Sequence, residues 1–246
     1  MKFYFLFLFQ FLFLLTVIGQ EDNPKDKLIF TSPNYELQFP FGDMKKDFGV
    51  NSTIGLELGL ISPKNIFYSI SYSYLFGNNV KDSTILNHLM DEDGNIIDQN
   101  GQISDILLQE RGYNINLKLG YLLPILNDRS GLLSYASIGY HQHKVNIDVK
   151  NSAVPQLNEN YKKIYDQLAG GVSSSIFIGY LNISQKTGLH FYSGLELSRA
   201  FSKNQRSYNF NSNMAVNEVR NDLFLGLKVG WIIPISKRSN KEYYYF

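Results

Sequence analysis

The sequence predicts an all-β fold: a transmembrane, antiparallel, up-and-down β-barrel of about eight strands, with long extracellular loops and short periplasmic turns. Three observations predict it. A stretch near the C-terminus alternates strictly in polarity, strands of membrane-crossing length recur with alternating short and long connections, and an apolar leader is followed by no run long enough to cross a membrane as a helix.

The clearest element is Arg220 to Ile235, RNDLFLGLKVGWIIPI. Leu223, Leu225, Leu227, Val229, Trp231 and Ile233 share one parity, and Asp222, Phe224, Gly226, Lys228, Gly230 and Ile232 share the other, which is the period-two pattern of a strand. A lysine and two glycines opposite a fully apolar face suit a strand with lipid outside and a crowded polar lumen inside. A soluble barrel of lipocalin type would place its apolar parity inward and its polar parity in water. Here Gly, Ser and Asn crowd the polar parity while Leu, Ile and Tyr repeat on the other.

Met1 and Lys2 precede FYFLFLFQFLFLLTVIG, a run of signal-peptide length, shorter than the roughly 20 residues of a spanning helix. Residues 1–19 therefore read as a signal peptide cleaved after Gly19, and 20–27 as a periplasmic linker. The barrel follows over 28–235, and 236–246 form a periplasmic tail. The chain has no cysteine, so neither an acylated mature N-terminus nor a disulfide is available. The sequence carries 23 basic and 22 acidic residues, and loss of Lys2 with the leader makes the balance neutral. That balance leaves no footprint for nucleic acid. Seventeen Tyr and 18 Phe suit a protein anchored at membrane interfaces by aromatic rings.

In chain order, Leu28 to Phe41 alternates Tyr35, Leu37 and Phe39 with Glu36 and Gln38, but Pro33 and Pro40 point to an edge, an end or a bulge and make it the least regular strand. Gly49 to Leu60 and Asn65 to Phe76 form a hairpin across SPKN. Tyr113 to Leu123 and Leu132 to Val145 pair across NDRSG, and Gly171 to Leu181 pairs with His190 to Phe201 across QKTG. Gly77 to Glu110, Asn146 to Leu168 and Ser202 to Val219 are the long excursions. Strand number and loop rhythm both place the chain ends in the periplasm.

An eight-stranded barrel has a lumen that side chains fill, which argues against a passive pore. Glu57, Lys118, Glu196 and Lys228 fall on the inward parity and predict a paired charge network. His141 and His143 share an inward face near the outer end of their strand. They are candidate rim histidines, able to serve as a general base with His190 or a loop carboxylate nearby, although no serine-centred motif accompanies them. Two histidines do not make a metal site, and no metal or cofactor is expected. DEDGNIID, Asp91 to Asp98, lacks the closing Glu of a calcium loop, so Asp93-Gly94 and Asn100-Gly101 read as turns. Leu157, Tyr161, Ile164, Tyr165 and Leu168 have helical spacing and predict a short amphipathic helix over the barrel mouth or against a partner. Tyr161, Tyr165 and the terminal Tyr243, Tyr244, Tyr245 and Phe246 are candidate partner-docking residues.

The chain resembles the small outer-membrane β-barrel proteins of the Bacteroidota. The resemblance rests on Gly42-Asp43-Met44 with Phe48-Gly49, Val154-Pro155-Gln156-Leu157 leading to Tyr165-Asp166 and Gly170-Gly171, Leu195-Glu196 to Arg206-Ser207, Leu227 to Pro234, and the Tyr-rich C-terminus. It implies an integral outer-membrane location and no assigned chemistry. Small barrels of that phylum include subunits of the type IX secretion apparatus and of the barrel-assembly machinery, so the resemblance implies partners among outer-membrane or periplasmic proteins besides the lipid bilayer.

The expected function is that of a non-enzymatic scaffold or accessory subunit of an outer-membrane complex for secretion or protein assembly, meeting partners through its loops and tail. Roughly seventy residues of long loops exceed what strand connection needs. The alternatives are an outer-leaflet enzyme, a lipid-A hydrolase or protease, working through the rim histidines, and a narrow channel.

Overall fold

In the computed structural model, residues 27–127, 129–150, 153–158, 161–183, 189–206 and 219–235 are described. The leader, most of the linker and the tail, with Tyr243, Tyr244, Tyr245 and Phe246, lie outside them.

Eight antiparallel strands follow one another around a closed ring: β1 (Leu28–Gly42), β2 (Asn51–Ile61), β3 (Ile66–Gly77), β4 (Asp105–Asn127), β5 (Ser130–Lys150), β6 (Ala169–Ile183), β7 (His190–Asn204) and β8 (Val219–Trp231). Each pairs with its sequence neighbour, and β1 pairs with both β2 and β8, which closes the ring. A two-residue strand, β9 (Ile233–Pro234), prolongs the β8 side against Phe30 and Thr31. The up-and-down barrel expected from the sequence is the observed architecture. No helix among the described residues is long and apolar enough to cross a membrane.

β1 is a full strand of 15 residues rather than a marginal one, and closure gives it no free edge. Each proline instead sits where one of its two ladders is interrupted. The pairing of β1 with the closing strand lapses between Asn34↔Gly230 and Thr31↔Ile233, at Ser32 and Pro33. Pro40 lies beyond Gln38↔Asn51, the last pair that β1 makes with β2. A missing N–H does no harm where no carbonyl faces it.

β4 and β5 are 23 and 21 residues long, far longer than their neighbours. Their pairing continues up to Asp105↔Lys150, well beyond the end of β3 at Gly77↔Glu110, so parts of both long excursions are strand and not loop. The helix expected around Tyr161 is a single turn, α2 (Lys162–Tyr165), preceded by a 3-10 turn at Pro155–Leu157. A second single turn, α1 (Met44–Asp47), follows β1 after Gly42, whose φ of 63° favours glycine.

The outside of the ring is apolar. Ile54, Leu56, Leu58, Ile70, Leu117, Ile138, Ile178, Leu195, Leu197, Leu227 and Val229 are all exposed. Aromatic rings border this belt. Toward the long loops Tyr72 stacks on Tyr113, and Tyr113 meets Tyr140, with centroids 6.2 and 6.3 Å apart. Toward the short turns lie Tyr68, Phe191 and Trp231. On the inward parity Glu57, Ser71, Lys118, Glu196 and Lys228 are buried. An apolar exterior around a polar interior is the inverse of a soluble barrel and defines a transmembrane one.

Candidate functional site

The lumen is built in three layers, set by how far along each strand an inward residue lies. At the short-turn end Phe30, Ile61, Phe67, Leu122, Leu133, Leu181 and Ile232 form an apolar plug. Above it Phe67 stacks on Tyr135 at 5.7 Å, and Tyr135 stacks on Phe177 at 4.6 Å. Large rings fit because glycines face them from neighbouring strands: a Cβ on Gly230 would run into the Tyr192 ring.

The second layer is the charge network. All four predicted residues are in it, as two ion pairs. Lys118 Nζ lies 2.5 Å from Glu57 Oε2, and Lys228 Nζ lies 2.6 Å from Glu196 Oε2. Glu36, which the sequence reading left out, completes it, accepting from Lys228 at 3.3 Å and from Gln38 at 3.0 Å. The Tyr135 hydroxyl donates to Glu196 at 2.9 Å, Ser175 donates to Glu196 at 2.5 Å, and the Tyr192 hydroxyl donates to Glu57 at 3.1 Å. The signal for Glu36 was its parity with Gln38 in a strand discounted for its prolines. Tyr135 and Tyr192 carried no signal, because only the register shows that their hydroxyls reach carboxylates on other strands. Gly226 leaves the space that the Glu36 carboxylate occupies. Two lysines shared among three carboxylates satisfy the rule that a buried charge needs a partner. A polar cavity of about 30 Å³ remains beside Glu36, Glu196, Lys228, Asn116 and His141, space for two or three water molecules.

The third layer holds His141 and His143, inward and near the long-loop end as expected, but buried and not on an open rim. His141 Nε2 meets His143 Nδ1 at 3.1 Å, and His141 Nδ1 bonds to the Asn114 side-chain carbonyl. Phe48 packs edge-on against His143, and Phe224 lies against His141. His190 cannot join them. It opens β7 opposite Ile183, at the short-turn end of the barrel.

A cap closes the mouth above the histidines. Met44, Phe48, Ile85, Leu86, Ile96, Val145, Ile147, Val154, Leu157 and Tyr165 form one apolar cluster with Phe224. Of the two alternatives for the Leu157–Tyr165 segment, covering the mouth or meeting a partner, Leu157 and Tyr165 take the first, while Tyr161 is exposed. Polar ties fasten the cap. Arg206 grips Asp166 through Nε at 2.9 Å and Nη2 at 2.5 Å, Gln167 donates to Asp82 at 3.1 Å, and His88 meets the Tyr165 hydroxyl at 2.9 Å. Burial alone would raise the Asp82 carboxyl, but hydrogen bonds from Thr84 and Gln167 outweigh it and hold it below its usual range. Asp91 and Asp98 spend a carboxylate oxygen on backbone amides of their own turns, Asp93 and Asn95 in one, Asn100 and Gln102 in the other. Among the described residues no three His, Asp or Glu side chains are grouped to hold a metal ion. On its outer side the cap carries a cleft of about 310 Å³ lined by His88, Met90, Asp91, Ile97, Val154 and Gln156.

The fold and the lumen define a transmembrane β-barrel whose described interior is packed with side chains, with an apolar cluster toward each end. No protein-family model and no curated protein sequence matches the chain. Among solved structures it is similar to Ail, the attachment invasion locus protein of Yersinia pestis, at 7% identity over 85% of this chain and 100% of that one, with a TM-score of 0.41. It is also similar to the N-terminal β-barrel domain of OprF from Pseudomonas aeruginosa, at 11% identity over 85% of this chain and 100% of that one, with a TM-score of 0.39. The outer-membrane protein OprG from the same organism matches at 9% identity over 86% and 97% of the two chains, with a TM-score of 0.36.

Proposed function

We propose that the protein is an integral outer-membrane barrel with periplasmic chain ends that works as a non-enzymatic scaffold or accessory subunit, binding outer-membrane or periplasmic proteins. The observation that carries this reading is the packed lumen. Among the described residues an apolar plug lies below the charge network and an apolar cap above it, and the histidines that an enzyme would use are buried between them.

What the protein does present is the outside of the cap. Met90, Ile97, Ile103 and Tyr161 are exposed there, around and beyond the cleft. We place the contact site at these exposed side chains beside the cleft. The test is a mild-detergent pull-down of the tagged protein from its native membrane, with mass spectrometry of what accompanies it. Stoichiometric partners lost from a Tyr161→Ala, Ile103→Ser variant support loop docking, and partners lost only on deleting 236–246 transfer the role to the tail. A lone barrel sinks the subunit reading.

A further inference from the structure

The lipid-facing side of β7 breaks the apolar pattern near its long-loop end. Its outward residues run Leu195, Leu197, Arg199, Phe201, Lys203, and Arg199 and Lys203 are both exposed. Register fixes the surroundings. Arg199 stands beside Ser174 of β6 and Leu223 of β8, Phe201 stands between Val172 and Asn221, and Lys203 stands between Gly170 and Val219. Val172 and Phe201 are exposed members of the apolar belt, whereas Lys203 lies level with Gln142, across Gly170. The outward face therefore passes from apolar to polar toward Lys203, which puts the boundary between lipid tails and headgroups near Phe201, with Arg199 one outward residue to its tail side.

A cation on the lipid face is unfavourable unless its side chain reaches the headgroups or meets an anion. Arg199 is turned toward the boundary. Its guanidinium carbon sits 4.5 Å over the Phe201 ring, and its Nε donates to Asn221 Oδ1 at 2.7 Å. Those contacts fix the fork and leave both terminal nitrogens without a described protein partner. The outward residues of β6, β7 and β8 include no Asp or Glu among the described residues, so these described strands supply no anion to the two cations. Next to Lys203, Gln205 donates to the Tyr140 hydroxyl and accepts from Gln142 at 2.6 Å, a polar shelf at headgroup level.

We infer that Arg199 and Lys203, braced by Phe201 and Asn221, form a binding site for the phosphate headgroup of an anionic lipid in the leaflet at the long-loop end. A guanidinium fork matches two phosphate oxygens, and a lysine one headgroup step above adds a second positive charge. The site depends on the transmembrane barrel and is independent of whether the protein has protein partners.

The test uses the full chain refolded in mixed micelles with phosphatidylglycerol or phosphatidylcholine, and native mass spectrometry counts retained lipid. The wild type is expected to keep one phosphatidylglycerol in preference to phosphatidylcholine. Arg199→Gln with Lys203→Gln is expected to weaken that retention about 25-fold, at about fivefold per cation lost near a membrane surface. Lys64→Gln, at the opposite end, leaves it unchanged, and Arg199→Lys, which keeps the charge but loses the fork, falls between the wild type and the double variant. Equal retention of the two lipids, equal retention by wild type and the double variant, or displacement of the lipid by millimolar inorganic phosphate would overturn the inference.

Discussion

Replacing Lys228 with methionine tests the lumen network directly. The ammonium lies 2.6 Å from Glu196 and 3.3 Å from Glu36, with a side chain 5% exposed, and it is the one cation joining those two carboxylates. Removing it leaves Glu57, Glu196 and Glu36 with Lys118 alone to serve all three. Methionine fills nearly the same volume, so the loss is electrostatic and not a cavity. Breaking a buried ion pair from one side costs about 3–5 kcal/mol, because the carboxylates left behind stay desolvated. Urea unfolding in detergent micelles, read through Trp231, the single tryptophan, measures it, since that ring sits on the lipid-facing side and moves into water on unfolding. The double variant Lys228→Met, Glu196→Gln should be more stable than the sum of its single changes by about 1–2 kcal/mol, as expected for directly coupled charges. A Lys228→Met protein within about 1 kcal/mol of the wild type, or strict additivity in the cycle, refutes the claim that these charges are buried and mutually dependent.

Gly226→Val places a side chain where the Glu36 carboxylate sits, and it should lower stability in the same assay by about 1–3 kcal/mol. Arg206→Gln breaks the two-point grip on Asp166, and hydrogen exchange should report faster opening of the segment around Val145, whose amide bonds to the Asp166 carbonyl, with global unfolding little changed. Asp82 gives the cap a pH dependence. Its folded pKa lies below its ordinary value of 3.8, so its tie contributes above that pH and is lost as pH falls through the depressed value. Proteolysis of the 80–104 loop should rise only in that acid range, by an acid-stable protease, and Asp82→Asn should abolish the step. His141→Ala with His143→Ala should leave lipid A and membrane protease activity unchanged, and loss of either would restore the enzyme reading.

Strand periodicity alone carried most of the fold, because a barrel wall has two unlike solvents, lipid and lumen, and every residue must declare for one of them. Hence Leu223 to Ile233 fixed both the strand and its faces, and Glu57, Lys118, Glu196 and Lys228 were readable as lumen charges from parity. The alternation of SPKN and NDRSG with long excursions fixed the order of neighbours. Parity says nothing about height along the barrel or about which residues meet across it. Register decided those: it sent His190 to the far end from His141, joined Glu36 to Lys228 across the closing seam, and carried the Tyr135 and Tyr192 hydroxyls to their carboxylates. The cap was the least legible part. Leu157 and Tyr165 have helical spacing but only single turns to form, and they are buried because Met44, Phe48, Ile85 and Val145, scattered through the sequence, supply the apolar surface they cover. Local pattern determines what a residue faces. Only the closed ring decides whom it meets, because contacts across a lumen join strands whose separation in the chain no local pattern records.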